Sequence, residues 1–310
     1  LVPFLALARR PFLPRLALHA GLTALALAPA VAFSLATVGA PFPATAAAKV
    51  EGGLLGWLGG VREPMWTTWI ARPWDFAREW VGWLAGAHPL LPLALVPGIP
   101  VAWRYAGPSL GVAGLALLAH PLGMALLAPY RGPGFQEGRY SSHLLPLAVV
   151  VVAAGLGRLA GRRRALTLLV LLALSLQGLA PAAERYAWGV QNIEAMQVRL
   201  GRWIDATLPR EARLAVNDIG AIAYFSRREI LDLMGLVTPE IIPYRRAGEA
   251  AIVKFLVGAC PDYVVIFPDW FPAVAARADL LTPVTRVRLE RVEVAGAPEM
   301  VVYRLRRCAL

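Results

Sequence analysis

The chain of 310 residues is 58% hydrophobic and 16% charged, with a mean hydropathy of +0.56. Soluble globular proteins are usually about 45–50% apolar and about 25% charged, so this composition excludes a wholly soluble protein and predicts an integral membrane protein. The net charge of +11 does not favour nucleic acid as a partner, because residues 1–181 hold 14 Lys and Arg against 5 Asp and Glu, whereas residues 182–310 hold 17 against 15. An excess of cations in the apolar half suits lipid headgroups and control of topology.

The first predicted element is an apolar stretch over residues 16–38. A secretory signal would need a small-residue cleavage site after a short apolar core, and none is clear here, so this stretch is predicted to be a retained span. The chain begins at Leu1 rather than at methionine. Leu1 could be a leucine-coding alternative start, but we expect the chain to be the C-terminal part of a longer protein.

Five segments have the length and apolar character of membrane spans, since a helix needs about 20 mainly apolar residues to cross the hydrocarbon core. The predicted spans are 16–38, 86–103, 108–128, 143–160 and 165–181. The second is short and interrupted by prolines, so a re-entrant segment is an alternative there.

Arginine clusters predict the orientation of these spans, because cytoplasmic loops collect Lys and Arg. Arg9, Arg10 and Arg15 precede the first span, and four arginines at 158–164 lie between the fourth and fifth. With five spans, both clusters are cytoplasmic, while residues 39–85, 129–142 and everything after 181 lie outside. Without the second span, the two clusters would lie on opposite sides.

The outer loop 39–85 is rich in tryptophan, which concentrates at the bilayer interface. Six of the ten tryptophans of the chain fall in this loop: Trp57, Trp66, Trp69, Trp74, Trp80 and Trp83. After Pro73, apolar residues recur at helical spacing and predict an amphipathic helix in the interface. The helix could contact lipid-borne substrates, or it could be a packed lid without a ligand.

The next outer segment, "GFQEGRYSSHLLPL" over 134–147, places charged side chains directly before the fourth span. Arg131 and Arg139 could be interfacial anchors, or one of them could be a functional cation, since an ionisable group at a membrane boundary is a reasonable site candidate. Glu137 is interpreted as a partner for one of these arginines.

Beyond residue 181 the pattern becomes that of a small α/β domain, over 182–310. A helix is predicted at 187–207 and others near 219–226, 239–258 and 270–280. Strands are predicted at 213–218, 229–235, 262–268, 284–294 and 299–306. Their alternation with helices predicts a mainly parallel sheet, and the last two strands predict an antiparallel edge.

Several polar residues of this half admit both a structural and a chemical role. Asp218, between a strand and a helix, is interpreted as an N-cap rather than a catalytic carboxylate, and Thr238 with Pro239 as a capped helix start. Cys260 and Cys308 could pair, but free thiols are favoured. His19 and His120 lie in spans without a second metal ligand and are interpreted as buried, hydrogen-bonded histidines. The sequence shows no cofactor or metal motif.

Three stretches together carry a resemblance to a known family. "GAPFPATAAAK" (39–49) follows a span, "GRY" (138–140) precedes the "LLPL" span, and an outer domain contains "LPREARLAVNDIGAIAYFSRREILDLMGLVTPE". In this order they resemble the C-terminal half of bacterial GT-C integral-membrane glycosyltransferases, relatives of the protein mannosyltransferases and aminoarabinose transferases. The family usually has aromatics where this chain has Ala46, Ala47 and Ala48, which weakens any detailed role for Thr45 and Lys49.

The resemblance implies transfer of a sugar from a polyprenyl-phosphate donor to a lipid, glycan or protein acceptor at the outer face of a bacterial plasma membrane. It implies that Arg139, with Lys49 as a second cation and Tyr140 nearby, binds the donor phosphate. The catalytic base of the family is an aspartate or acidic pair in the first outer loop of the N-terminal half, which this chain does not contain. None of Glu51, Glu63, Asp75, Glu79 and Glu137 is assigned that role, so the chain alone is expected to be inactive. The alternative is a non-enzymatic membrane anchor whose α/β domain binds a ligand or partner outside the cell.

Overall fold

A computed structural model describes residues 12–39, 44–50, 52–105 and 108–306. The protein is mostly helical, with a small sheet near its C-terminus. The contacts of the described residues divide them into two units, one containing residues 12–39 and 49–180 and the other residues 181–306 together with the short segment 44–48.

The helices before the sheet are mostly apolar. They are α1 (Phe12–Val38), α2 (Ala44–Lys49), α3 (Gly53–Leu58), α4 (Arg72–Ala87), α5 (Leu91–Tyr105), α6 (Pro108–Leu127), α7 (Leu145–Leu156) and α8 (Gly161–Ile193). A π-helical turn at Thr67–Ala71 leads into α4, and another at Glu194–Val198 joins α8 to α9 (Arg199–Thr207).

Two helices in the described part of the chain are long and apolar enough to cross a membrane, one with its window at Ala20–Thr37 and one within Gly161–Thr207. A third crossing is counted if Thr67–Ala87 and Leu91–Arg104, which meet at a bend of 103°, form one broken span. Gly114–Leu127 and Ser142–Leu156 are shorter apolar helices. The membrane character is therefore supported, whereas the number of five spans is not confirmed.

The apolar face of α4 lies in a core and not at a surface. Phe76, Trp80 and Leu84 are buried, and Trp80 and Leu84 belong to a cluster with residues of α5, α6 and α7. The exposed tryptophans of the loop 39–85 are instead Trp57, Trp66, Trp69 and Trp74. The helical spacing after Pro73 thus reflects packing against neighbouring helices, because the same apolar stripe serves a protein core and a lipid interface.

The C-terminal unit contains a five-stranded sheet in the order β2-β1-β3-β5-β4. The strands are β1 (Arg213–Val216), β2 (Glu229–Asp232), β3 (Tyr263–Ile266), β4 (Leu281–Arg288) and β5 (Glu299–Leu305). The first three are parallel to one another, and β5 is antiparallel to both β3 and β4. The predicted parallel sheet with an antiparallel hairpin is confirmed.

Helices cover this sheet on both faces, as buried parallel strands require. They include α9, α10 (Ile219–Ser226), α11 (Ile242–Ala247), α12 (Glu249–Ala259) and α13 (Pro272–Ala275). In β1, Leu214 and Val216 join one core cluster, whereas Ala215 between them joins the other. The two clusters therefore lie on opposite sides of the sheet, and the alternation of side chains along each strand assigns residues to them.

Three predicted boundaries are wrong, each for a local reason. The helix predicted at 239–258 is interrupted at Gly248, whose φ of 96° separates α11 from α12. The helix predicted at 270–280 is only a 3-10 turn at Pro268–Trp270 followed by α13. The strand predicted at 284–294 begins at Leu281 and ends at Arg288, because Asn192 binds the backbone beyond it through Arg291 O (2.8 Å) and Glu293 N (2.7 Å).

Candidate functional site

The loop between α6 and α7, which carries Arg139 and Tyr140, has an unusual backbone. Arg131, Gln136 and Glu137 have φ values of 53°, 48° and 59°, and Gly138 has a φ of 74°. A left-handed conformation in a residue other than glycine costs on the order of 1 kcal/mol or more, so surrounding contacts must hold it. The conformation of the loop is therefore imposed by contacts with neighbouring elements and not by the backbone preferences of its own residues.

Helix α4 supplies those contacts. Gly134 N donates to Glu79 Oε1 at 3.0 Å, and Gly138 lies so close to Trp83 that an added Cβ would be 2.1 Å from Cε2 of the indole. On the other side, His120 Nε2 of α6 lies 2.9 Å from Ser141 Oγ, a fully buried hydroxyl. The hydrogen-bonded role predicted for His120 is confirmed, with a half-buried ring, while the side chain of His19 lies outside the described residues.

The loop and the end of α2 bring the three predicted phosphate ligands together. Lys49 Nζ lies 5.6 Å from the centroid of the Tyr140 ring and 5.8 Å from that of Tyr130. The guanidinium carbon of Arg139 lies 5.8 Å from the same Tyr140 ring, and the two tyrosine rings meet edge to face at 5.8 Å. We call Lys49, Tyr130, Arg139 and Tyr140 the Lys49–Tyr140 cluster.

The electrostatics of the cluster suit an anion. Two cations approach one phenol ring, so the ring face offsets part of their mutual repulsion through its quadrupole. Arg139 is exposed and donates from Nη1 to Gln136 Oε1 at 3.2 Å, whereas Lys49 and both tyrosines are half-buried. An exposed guanidinium suits a phosphate or carboxylate, because its planar fork matches two of their oxygens.

Arg139 donates a hydrogen bond to Gln136, its neighbour in the same loop. The pairing of Glu137 with Arg131 or Arg139 stays a prediction, and the guanidinium carbon of Arg131 lies 5.7 Å from the centroid of the Phe135 ring. The left-handed turn over 136–138 gives these side chains directions other than those of a regular helix.

The acids in the first half of the chain have structural partners. Glu63 accepts hydrogen bonds from Arg72, from Gly53 N at 2.9 Å and from Thr68 Oγ1 at 2.7 Å. The hydrogen bond from Arg72 lowers the pKa of Glu63 to about 2, against the opposing effect of burial. Asp75 pairs with Arg78, Glu79 holds Gly134, and Glu51 lies outside the described residues. In the described part of the chain, no three His, Cys, Asp or Glu side chains are grouped so that they could hold a metal ion.

In the C-terminal unit, two predicted caps are wrong in detail. Asp218 occupies the N-cap position of α10 but makes no side-chain cap, because its Oδ2 accepts from Gln197 Nε2 at 2.8 Å. Thr238 likewise makes no side-chain cap, since its hydroxyl accepts from Asp232 N at 2.9 Å, whereas Pro239 does take the first helical position.

Cys260 is disulfide-bonded, so its interpretation as a free thiol is wrong. The sequence contains one other cysteine, Cys308, which lies outside the described residues. A structural disulfide is typical of an oxidising compartment.

Sequence reasoning missed Tyr130 and Ser141. Tyr130 follows the third predicted span directly and lies ten residues before Tyr140, and aromatic residues at that depth are common interfacial anchors. The signal available in the sequence was that Tyr130 lies close along the chain to Tyr140, a residue already predicted as a ligand. Ser141 gave no signal, because its pairing with His120 depends on how the loop folds back on α6.

Comparison with known proteins gives one result within the C-terminal unit. The profile of a family described as a domain of unknown function (DUF8728) matches residues 191–303. No curated protein and no solved structure matches the chain significantly.

Proposed function

We propose that this chain is part of a GT-C glycosyltransferase that takes a sugar from a polyprenyl-phosphate donor at the outer face of a bacterial plasma membrane. Its acceptor would be a lipid, a glycan or a protein. Within this proposal, the chain binds the donor through the Lys49–Tyr140 cluster and supplies no catalytic carboxylate.

The observation that carries the proposal is the approach of Lys49 and Arg139 to the same Tyr140 ring, at 5.6 and 5.8 Å. These cations lie 90 residues apart in the sequence, and the family resemblance names both as ligands of the donor phosphate. Two cations beside tyrosine rings offer charge to the phosphodiester of the donor, and the tyrosine hydroxyls are groups that can form hydrogen bonds. In transfer, the same cations would stabilise the charge that develops on the leaving phosphate.

The proposal includes five spans, with the N-terminus and the arginine turn at 158–164 in the cytoplasm and the α/β domain outside. The disulfide at Cys260 supports the outer location of that domain, because cytosolic thiols are kept reduced. The short apolar helices at Gly114–Leu127 and Ser142–Leu156 would be the third and fourth spans.

Binding of a radiolabelled polyprenyl phosphate to the natural full-length protein in nanodiscs tests the site. Arg139→Ala and Lys49→Ala are each expected to weaken binding about tenfold or more, and Arg139→Lys less, since lysine keeps the charge but loses the planar fork. Transfer from a polyprenyl-phosphate sugar should fall in parallel.

Arg62→Ala is the matched control. Arg62 is also an exposed cation over an aromatic ring, 5.2 Å from Trp57, but lies outside the cluster. Uncharged polyprenol controls for binding through the hydrocarbon chain alone. Equal loss in Arg62→Ala, or unchanged affinity and turnover in Arg139→Ala, would remove the cluster from donor binding.

A further inference from the structure

The carboxyl edge of the parallel strands in the C-terminal unit contains buried amide groups without partners. In the described part of the chain, Asn217 Nδ2 and Gln197 Oε1 are buried and have no hydrogen-bond partner. Their residues are 4% and 2% exposed. Buried polar groups are almost always paired, and each exception requires an explanation.

The orientation of both amides is fixed by their other ends. Asn217 Oδ1 accepts the backbone N–H of Phe267 at 3.3 Å, and Gln197 Nε2 donates to Asp218 Oδ2 at 2.8 Å. Flipping either amide would place two donors or two acceptors against each other. The unpaired groups are therefore one donor, on Asn217, and one acceptor, on Gln197.

These residues lie where open α/β sheets bind ligands. Asn217 and Asp218 directly follow β1, and Phe267 directly follows β3. Since β2 lies on one side of β1 and β3 on the other, the strand order reverses between β1 and β3, and open α/β sheets in general bind ligands at the carboxyl ends of the strands at such a point.

A comparable residue at the same edge shows what a purely structural group looks like. Asp232 ends β2 and is fully buried, but its carboxylate accepts from the backbone N–H groups of Met234, Leu236 and Val237. Its hydrogen bonds stay within the turn. Asn217 and Gln197 differ from Asp232, because each has one buried amide atom without a hydrogen-bond partner.

The backbone around Gln197 is also irregular. Gln197 lies in the π-helical turn Glu194–Val198, and single π-helical turns inside α-helices are frequent at functional sites. Asp218 is half-buried and does not cap α10, although it stands at the N-cap. Trp270, 39% exposed, packs its ring 5.3 Å from that of Phe267 and donates from Nε1 to Gly296 O at 2.9 Å.

From this arrangement we infer that the carboxyl ends of β1 and β3 form a binding site for a hydroxyl-rich ligand, a saccharide. A sugar hydroxyl both donates and accepts, so it pairs with the amide donor of Asn217 and with the acceptors of Gln197 and Asp218. The exposed, fixed indole of Trp270 offers an apolar face for the C–H groups of a sugar ring. The site lies within the 191–303 match and does not depend on the proposed donor site.

Saturation-transfer NMR on the full chain in nanodiscs tests this, with the methyl glycosides of glucose, mannose and N-acetylglucosamine as probes. At least one should receive saturation in the wild type. Asp218→Asn should weaken binding about tenfold, and Asn217→Leu and Trp270→Ala should do so as well. Asp279→Asn, an exposed carboxylate of the same unit paired with Arg277, is the matched control and should bind like the wild type.

Hydrogen exchange at the β1 and β3 amides checks that each variant is folded. Saturation of no saccharide would overturn the proposal, as would equal saturation in Asp218→Asn and wild type. If a buried water and not a saccharide pairs with these amides, no saccharide will receive saturation, and Asn217→Leu will leave the thermal stability unchanged or raise it. This result would also contradict the proposal. Binding of inorganic phosphate without any saccharide would also contradict the inference.

Discussion

Arg228 shows how much a single charged side chain does in the C-terminal unit. Its side chain is 2% exposed, and its guanidinium donates to the carbonyls of Pro209 (2.8 Å), Ser226 (2.7 Å) and Leu208 (2.8 Å) as well as to Asp205 Oδ1 (3.1 Å). Carbonyls near the C-terminal ends of α9 and α10 are thereby paired. Buried carbonyls of this kind are costly to leave without donors.

Arg228→Met should therefore destabilise the C-terminal unit by about 3 kcal/mol, which is roughly a hundredfold faster hydrogen exchange through unfolding. Amide exchange of β1 and α9 in the full chain measures this. The exchange rate of Arg228→Lys should lie between those of wild type and Arg228→Met, because lysine keeps the charge but lacks the planar guanidinium. The neighbouring Arg227 is exposed, so Arg227→Met should change little, and an equal effect there would contradict the role given to Arg228.

Glu63 gives a prediction that depends on pH. Its pKa is lowered from 4.5 to about 2, chiefly by the hydrogen bond from Arg72. A carboxyl with a lowered folded pKa adds stability above its unfolded pKa, and this stability is lost as the pH falls through the folded value. Wild type should be more stable than Glu63→Gln above pH 4.5, and the difference should shrink towards pH 2.

Thermal unfolding of both proteins across that range measures the difference. Asp75→Asn is the control, since Asp75 and Arg78 form an exposed pair of small worth. A stability gap between wild type and Glu63→Gln that is independent of pH would show that the ionised carboxylate is not what stabilises this segment.

At the scale of elements, the strands were predictable and the loops between them were not. The runs containing β1, β2, β3 and β5 are short and largely apolar, and turn residues lie next to them, so their positions follow from local pattern. The end of β4 depends on Asn192, which lies about a hundred residues earlier and binds the backbone near Arg291. No local pattern contains that contact.

The candidate site was predictable to a similar extent. Arg139, Tyr140 and Lys49 came from charge at a span boundary and from a family resemblance, and the structure brings them together. Tyr130 and the left-handed turn over 136–138 were not predicted, because a positive φ in Gln136 and Glu137 goes against their local preference and is imposed by α4.

Gly138→Ala tests whether that turn positions the cluster. The added Cβ would meet Trp83 at 2.1 Å in a backbone with φ of 74°, so the loop must move. Affinity for polyprenyl phosphate should fall about tenfold or more, and trypsin should cleave after Arg139 faster than in wild type. Gly82→Ala, on exposed backbone of α4 with no atom within 4 Å of the new Cβ, is the control. Unchanged affinity together with faster cleavage would separate the loop from donor binding.

At the scale of the whole molecule, the outer location proposed for the C-terminal domain predicts how Cys260 reacts with a thiol reagent. The domain containing Cys260 should resist maleimide in the native protein and take up label only after reduction, as an outer disulfide would. Alkylation followed by mass spectrometry, before and after reduction, measures this. Labelling of Cys260 in unreduced membranes would contradict the outer location.

The helix that follows Arg139 is short for a membrane crossing, since Ser142–Leu156 has 15 residues and extends about 22 Å, against a hydrocarbon core about 30 Å thick. Ser142 and Arg163 are exposed residues on its two sides, so Ser142→Cys and Arg163→Cys report whether it crosses. A membrane-impermeant maleimide should label Ser142→Cys in intact cells and Arg163→Cys only after permeabilisation. Labelling of both from outside would make the segment re-entrant, and labelling of Ser142→Cys only from the cytosol would place Arg139 where an outer-leaflet donor cannot reach it.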